Sequence, residues 1–401
     1  MVNNVQLYGG FNGTETAIGQ RPIFNALGGR AEGTVLSGDF NGDDTFNTAG
    51  RVSGGNTENA YHVVISSGNV GSAVLDGFTI TGGYAYGSNN DVITVNGRTI
   101  SKASGAGIYH ENSSPKLNNL NIIGNAALSN DYMRAAGAGI YCFMSSPIIS
   151  NVNISSNKAE SGGGIHIHGG GIPQLINVMI TNNQIPNSYP GGAIYCSMSS
   201  AVLVNVTISD NTGTHAVYSY NSPLAINNSI IKNGIRAEVG ALPTYKNSLI
   251  EGSGGSVAWN TAYGTNGGNN IDVHPLFVNP GGGNYRLQAT SPAINGASNT
   301  LYTNAGGNLA TDKDLAGNSR LNNTNMDIGA FEYISTPAIT PTNGIIYVNQ
   351  NVMVTSNKTG DSWANALPQL ADALVAASTN TSIQQIWVAN GVYKPLYSRE
   401  D

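Results

Sequence analysis

The apolar residues of this chain fall in short alternating stretches separated by Gly, Asn, Ser and Pro, and one frame of positions recurs. The frame is Asn-x-x-Ile-x-x-Asn, with weaker copies at Gly77/Ile80/Gly83 and Asn247/Ile250. Its five full copies are Asn119/Ile122/Asn125, Asn151/Ile154/Asn157, Asn177/Ile180/Asn183, Asn205/Ile208/Asn211 and Asn227/Ile230/Asn233. The full copies and the one at Asn247 begin 20 to 32 residues apart, which favours short strands over helices.

A second frame precedes the first in most repeats. It reads Gly-x-Gly-Ile-Tyr followed by Ser-Ser-Pro in 105–115 and 137–147, with looser copies in 162–173, 191–201 and 217–223. A repeat this short cannot bury its apolar side alone, whereas stacking repeats ~4.8 Å apart buries a continuous column of equivalent residues. We therefore predict a β-solenoid. The predicted core column is Ile122, Ile154, Ile180, Ile208 and Ile230.

The Asn columns are interpreted as structural. Asn tolerates the left-handed backbone of a turn, and its amide can bond to the Asn of the next coil. Over about residues 60 to 335 these repeats resemble the bacterial right-handed parallel β-helix of the pectate-lyase-like superfamily, in its repeat-rich cell-surface branch. The resemblance implies an all-β, right-handed solenoid in a secreted or surface protein. It implies glycan contact more firmly than catalysis, because the family includes lyases, polygalacturonases and adhesins.

From His274 the repeat stops, and the chain continues with motifs such as Asp314-Leu-Ala-Gly-Asn-Ser-Arg320 and Asp327-Ile-Gly-Ala-Phe-Glu332. This string is similar to the choice-of-anchor closing module of secreted bacterial β-helix proteins. In that resemblance Arg320, Asp327 and Glu332 are structural and close the open end of the solenoid. A solenoid needs such a cap because its last coil otherwise exposes strand edges and apolar residues.

A Pro- and Thr-rich linker and a strand–helix–strand pattern end the chain, and the pattern looks like the α/β opening of another β-helix. The start of the chain looks like the segment that normally comes directly after such an opening. We therefore expect a fragment of a longer protein, with its signal peptide elsewhere, whose copies can associate head to tail. The predicted parts are β-helix coils in 1–273, clearest in 60–253, the closing module in 274–334, the linker in 335–344 and a truncated N-terminal cap in 345–401.

Two columns of side chains emerge when the coils are aligned on the Ile after the glycines, and alternation directs both away from the core. The first column is Tyr109, Tyr141, His166, Tyr195 and Tyr218. The second is Glu111, Phe143, His168, Ser197 and Tyr220. Exposed rings with polar tips suit stacking on sugars, so the aromatic and His members are the predicted glycan-binding residues. The alternative is that repeat duplication copied rings that stack on one another for sheet stability.

Between these columns His110, Cys142, Ile167, Cys196 and Ser219 are expected to point inward. The two cysteines then lie two coils apart, about 9 to 10 Å, which is too far for a disulfide. Both are predicted to be free and buried.

Charge is scarce. Charged residues are 10% of the chain and the net charge is −6, with no basic stripe and no run of eighteen apolar residues. Nucleic-acid partners and a membrane span are therefore not expected. A glycan on a polysaccharide or cell surface is the expected partner, and the expected location is extracellular or on the cell surface.

No cofactor is predicted, with calcium as the one alternative. Asp39, Asn41, Asp43 and Asp44 offer oxygen ligands at nearly alternate positions, although Asp-Asn-Gly runs also form ordinary turns. The pair His166-Ile-His168 has metal-ligand spacing, but no acidic or Cys third ligand is expected beside it.

Catalysis is not the primary prediction, because the clear coils hold only scattered charges and no stacked acid pair. Asp131 and Arg134, in the long loop of the 32-residue coil, are the catalytic candidates, with loop solvation as the competing interpretation. The predicted function is non-catalytic glycan binding or adhesion through the aromatic face. The alternative is a polysaccharide lyase or glycoside hydrolase acting on acidic polysaccharide, and a third hypothesis is a stalk that spaces other modules.

Overall fold

The computed structural model describes residues 1–22, 24, 27, 30, 32–48, 50–88, 90–129, 135–186, 189–335, 339–352 and 358–393. These residues are predominantly β, in large parallel sheets, an arrangement compatible with a β-helix or solenoid. The chain forms two compact units. The first unit comprises Met1–Val278 and Tyr285–Tyr333, and the second comprises Asn279–Asn284 and Ile334–Asp401.

The largest sheet of the first unit, sheet 1, has 13 strands. Its neighbouring strands pair in parallel, each with the equivalent strand of the next coil. The strands are Gln6–Tyr8, Thr34–Ser37, Val74–Thr81, Lys116–Ile123, Ile148–Ser155, Gln174–Thr181, Ala201–Val204, Thr207–Ser209, Leu224–Asn227, Ile230–Ile231, Thr244–Lys246, Leu249–Ile250 and Thr265–Asn266.

Sheet 2 has seven strands, also parallel, in the order in which they occur along the chain. They are Val64–Ser67, Ile108–Glu111, Ile140–Phe143, Ile165–His168, Ile194–Ser197, Val217–Tyr220 and Ile235–Glu238. From Val64 to Ile250 the chain visits sheet 2 and then sheet 1 in each repeat, so one repeat is one coil of the stack.

Short elements complete the first unit. Tyr84–Gly87 pairs in parallel with Ala126–Ser129, while Thr45–Phe46/Val52–Gly54 and Val92–Val95/Arg98–Ser101 are antiparallel pairs, and Phe277–Asn279 pairs with Asn284–Leu287. The helical elements are the 3₁₀ turns Ile18–Gln20 and Thr261–Tyr263 and the α-helix Asn299–Asn304.

The recurring frame encodes two bends of left-handed backbone, one on each side of the core Ile. Three residues before that Ile, φ lies between 49° and 85° at Gly77, Asn119, Asn151, Asn177, Asn205, Asn228 and Asn247. Two residues after it, φ lies between 55° and 81° at Gly82, Gly124, Ser156, Asn182, Asp210, Asn233 and Gly252. Gly and Asn adopt this conformation at little steric cost, which explains why they dominate both positions.

The core column of sheet 1 is fully buried and runs through Ile80, Ile122, Ile154, Ile180, Ile208, Ile231 and Ile250. The prediction of Ile230 in this column is wrong, because Ile208 pairs with Ile231. The sequence there, Asn227-Asn-Ser-Ile-Ile231, contains adjacent duplicates of both landmark residues, so spacing alone did not fix the register. A shift of one residue reverses the face, and Ile230 is buried on the opposite side of the sheet.

The last Asn of the frame forms a buried amide ladder through Asn125, Asn157, Asn183 and Asn211. The main-chain N–H and Nδ2 of Asn157 both donate to Oδ1 of Asn183 at 3.0 Å. Nδ2 of Asn157 also donates to the carbonyl oxygen of Ile122 in the previous coil at 3.0 Å. The same pattern joins Asn125 to Asn157 and Asn183 to Asn211. This ladder confirms the predicted bonding of each amide to the next coil.

Residues 285–333 pack along the flank of sheet 1, whereas the resemblance implies a cap across its end. Nδ2 of Asn177 donates to Lys313 O at 2.9 Å, and Nδ2 of Asn205 donates to Asp327 O at 3.0 Å. The apolar coil residues that share a buried cluster with this segment are Ile176, Met179, Val204, Ile230 and Leu249. The segment therefore covers several successive coils from the side.

Arg320 and Glu332 form a buried ion pair inside this segment, with Nη1 3.3 Å from Oε1. Nη2 of Arg320 donates to Gly329 O at 2.6 Å, and Glu332 accepts from the main-chain N–H of Asp327 at 3.1 Å. Burial raises the pKa of Glu332 to about 8, against the opposing effect of Arg320. The contacts of this pair are internal to the fold.

In the second unit, Ile345–Val348 pairs in parallel with Gln385–Val388, and the α-helix Leu370–Thr379 lies between them in sequence. The buried cluster of this unit contains Ile346, Val348, Leu367 and Ala373.

The amide ladder yields a stability prediction. Asn183→Ala removes the acceptor for two donors of Asn157 and the donor to Ile154 O, which leaves buried polar groups unpaired. We expect the free energy of unfolding, measured by chemical denaturation, to fall by about 2–4 kcal/mol. The control is Asn118→Ala at a half-buried position, expected to change it by less than about 0.5 kcal/mol. Equal effects of the two variants would contradict a stabilising ladder.

Candidate functional site

The outer face of sheet 2 carries the ring column that the alignment predicts. Tyr109 pairs with Tyr141, Tyr141 with His166, His166 with Tyr195, and Tyr195 with Tyr218. The second column, Glu111, Phe143, His168, Ser197 and Tyr220, is in register in the same way. Strand pairing thus places equivalent residues of five coils side by side.

The turn formed by the Gly-x-Gly motif lies directly against the side chains of the first column. At Gly105, an added Cβ would lie 2.8 Å from Cδ2 of Tyr109, and at Gly162 one would lie 2.9 Å from Cβ of His166. Both glycines have positive φ, so a larger residue is excluded by backbone strain as well as by contact. At Gly139, the second Gly of its motif, a Cβ would lie 2.8 Å from Cγ2 of Ile154 in the core column.

The rings of the first column stack on one another. Ring centroids are 4.9 Å apart for Tyr109 and Tyr141, 5.4 Å for Tyr141 and His166, and 4.7 Å for both His166–Tyr195 and Tyr195–Tyr218. The interplanar angle is 9° for His166 and Tyr195. The faces of the inner rings are therefore in contact with neighbouring rings, and their edges are what the column presents outward.

Exposure along the column is lower than the sequence predicts. Tyr109 and Tyr218, at its two ends, are 4% and 8% exposed, whereas Tyr141, His166 and Tyr195 are half-buried. The hydroxyl of Tyr218 donates to Oε2 of Glu238 at 2.6 Å, which ties it to the next coil. Register and direction of the column are as expected, but its ends are not an exposed surface.

The second column is more accessible. Phe143 and His168 are half-buried with centroids 5.7 Å apart, and Tyr220 is 37% exposed. Met144 and Met198, which directly follow the strands, are each 51% exposed. Together with the edges of the first column, these side chains form a strip of rings and thioethers, which we call the ring strip.

Two central rings of the first column, those of Tyr141 and His166, are uncharged near neutral pH. Burial lowers the pKa of His166 to about 3 and raises the pKa of Tyr141 to about 12. Nδ1 of His166 lies 3.2 Å from Oγ of Ser161. His166 and His168 have centroids 6.4 Å apart, yet no described His, Cys, Asp or Glu joins them in a group of three ligands.

The inward column of sheet 2 is part of the core. Cys142 and Cys196 are free and buried, and both pair with Ile167 between them, which confirms the predicted separation of two coils. Burial raises the pKa of the Cys196 thiol to about 11, so this residue is not a nucleophile near neutral pH. His110 is fully buried, and neither ring nitrogen has a hydrogen-bond partner among the described residues.

His110 yields a pH-dependent prediction. Burial lowers its pKa to about 3, so the folded protein keeps it neutral while the unfolded chain binds a proton below about pH 6.5. Its contribution to stability therefore falls as pH decreases from about 6.5 toward 3. We expect His110→Leu to stabilise the fold by about 1 kcal/mol at pH 8, and by about 1–3 kcal/mol more at pH 4.5, in urea denaturation. A gain that does not grow on acidification would contradict this account.

A second candidate site lies among carboxylates in 38–59. Oxygens of Asp39, Asp43 and Glu58 lie within 4.8 Å of one another, and they form the one such group of three found among the described residues. Asp44, which the sequence also predicts as a ligand, is not part of that group. The sequence did not predict Glu58 as a member of this site, because no short-range pattern connects it to the Asp run.

A recess of about 340 Å³ adjoins this cluster. Arg30, Asp39, Asp44 and Phe46 are among its lining residues, and the guanidinium carbon of Arg30 lies 3.0 Å from the ring centroid of Phe46. Burial lowers the pKa of Arg30 to about 10. Asp131 and Arg134, the catalytic candidates from sequence, lie outside the described residues.

No family model, curated protein or solved structure matches this chain. Within the described residues, no helix is both long and apolar enough to cross a membrane.

Proposed function

We propose that the first unit is a right-handed parallel β-helix of the pectate-lyase-like superfamily. In this proposal it belongs to a secreted or cell-surface protein that binds glycans without catalysis through the ring strip. The observation that supports the proposal is the row of half-buried rings, held in register over successive coils. Soluble proteins seldom expose contiguous apolar rows without a binding partner.

The stacking of the first column defines how a glycan would bind. Because the faces of Tyr141, His166 and Tyr195 contact neighbouring rings, a sugar would meet ring edges and hydroxyl groups there. Hydrogen bonds from phenol groups, combined with apolar contact to the more open Phe143 and Tyr220, suit the two kinds of surface that a sugar presents. The strip would then follow a chain of sugars along the stack of coils.

The test removes hydroxyl groups and keeps the ring stack. The double variant Tyr141→Phe/Tyr195→Phe preserves packing, so we expect the melting temperature to change by less than about 3 °C. Glycan retention is measured on immobilised protein with polygalacturonate, xylan, mannan and a neutral glucan. We expect the double variant to retain the bound glycan at least about tenfold less than the wild type.

The matched control is Tyr333→Phe, in the segment that flanks sheet 1, which is expected to leave retention unchanged. Unchanged retention in the double variant would contradict binding through the ring edges. If the wild-type protein retains none of the polysaccharides, the stalk hypothesis replaces glycan binding.

The alternative is a polysaccharide lyase or hydrolase. The recess beside Arg30 is a better supported candidate site for this function than Asp131 and Arg134, which lie outside the described residues. A lyase needs a base opposite groups that neutralise a uronate, and Arg30 lines one recess together with the carboxylates of Asp39 and Asp44. Incubation with polygalacturonate, with absorbance of unsaturated products as the readout, tests this function. Turnover that is lost in Arg30→Gln would establish it, and absence of turnover in the wild type would exclude it for that substrate.

A further inference from the structure

The loop 38–59 concentrates negative charge, with four acidic residues and one basic residue in a chain of which 10% is charged. Four carboxylates, those of Asp39, Asp43, Asp44 and Glu58, are neighbours there, and oxygens of three of them lie within 4.8 Å of one another. Within the described part of the chain, none of the four forms an ion pair with Lys, Arg or His. Like charges this close repel unless a cation or a proton compensates them.

Two of the oxygens around this cluster are buried and lack any hydrogen-bond donor. Oε1 of Glu58, a member of the group of three, has no partner among the described residues. Asn59 is only 8% exposed, and its Nδ2 donates to both carboxylate oxygens of Asp44, at 3.2 and 3.1 Å. Its Oδ1 has no partner either among the described residues. A buried oxygen without a donor is costly unless something else binds it.

The loop is held in place around the cluster by its own main chain. Oδ1 of Asp39 accepts from the main-chain N–H of Gly42 at 2.7 Å, and Oδ2 accepts from that of Asp44 at 3.3 Å. Both ends of the loop join the coils, since Gly38 N donates to Thr81 O at 2.9 Å and Tyr84 N donates to Ala60 O at 2.8 Å. The carboxylates therefore converge from two ends of one anchored loop.

We propose that Asp39, Asp43 and Glu58 bind a calcium ion that fastens this loop to the first coils, with the carbonyl of Asn59 and the carboxylate of Asp44 beside it. All the available ligands are oxygen, which favours a hard cation over zinc or copper. Calcium accepts six to eight oxygens in flexible geometry, and a solvent-accessible loop can complete that number with water. Magnesium demands a stricter octahedron, so weaker binding of magnesium is expected.

Glu58→Gln separates a calcium site from a merely acidic loop, because only a calcium site predicts that adding calcium reverses the effect of the substitution on stability. Without calcium, removing one negative charge relieves repulsion, so the variant is expected to melt at the same temperature as the wild type or higher. With calcium, the wild type gains stability by mass action and the variant gains less, so their order is reversed.

The experiment uses the whole chain, stripped with EDTA and titrated with CaCl₂ by calorimetry and by thermal unfolding. The expected results are one calcium ion per chain, a melting temperature that rises by several degrees at saturation, and affinity at least about tenfold lower in Glu58→Gln. The same titration with MgCl₂ is expected to give at least about tenfold weaker binding. Asp372→Asn, an exposed acid of the second unit, is the matched control and is expected to bind calcium like the wild type.

Two outcomes would overturn the proposal. One is a wild-type protein that neither binds calcium nor changes melting temperature in its presence. The other is equal calcium affinity in the wild type and Glu58→Gln. Neither outcome depends on whether the ring strip binds glycan, so the two proposals fail separately.

Discussion

The buried amide ladder is the constraint on which the rest of the first unit depends. Asn125, Asn157 and Asn183 each bond the next Asn of the ladder and the carbonyl of the core Ile in the coil before, which fixes how coils align along the strand direction. Because side chains alternate between faces, a slip of one residue would move the Ile column out of the core and the ring column into it. Asn183 and its equivalents therefore determine indirectly where every ring lies.

The glycines transmit this register from the core to the surface. Gly139 contacts the Ile column, with no room for a Cβ beside Ile154, while Gly162 packs against the ring residue of its own coil. A turn with side chains at both positions would separate the two sheets and weaken the ring stack. The Gly-x-Gly-Ile-Tyr frame is thus a packing motif. This supports the interpretation that the rings recur because they stabilise the sheet, and it is compatible with glycan binding by the same rings. Stacked rings are rigid, and rigid side chains lose little entropy when they bind.

The sequence predicted the repeats well, but it predicted strand register less well where a shift of one residue was in question. Five coils, the register of both outward columns and the free cysteines followed from spacing, because Gly, Asn and Ile have distinct roles at fixed positions. The register at Ile230/Ile231 did not, since two adjacent residues satisfied the same pattern and only inter-strand pairing chose between them. The burial of Tyr109 and Tyr218, the flanking position of 285–333 and the approach of Glu58 to Asp39 all depend on contacts distant in sequence, which no local pattern encodes.

The distribution of charge follows from the same architecture. In stacked coils every side chain has an equivalent ~4.8 Å above and below, so a charge that is copied by the repeat meets a like charge at each step. Repeats therefore favour Asn, Ser, Tyr and apolar residues, and ionised groups accumulate where the chain leaves the repeat. The loop containing Asp39 and Glu58 and the flanking segment containing Arg320 and Glu332 are both such departures. In the flanking segment an arginine compensates the carboxylate, whereas no described cation forms an ion pair with the acids of the loop, and this difference is what a bound metal ion would resolve.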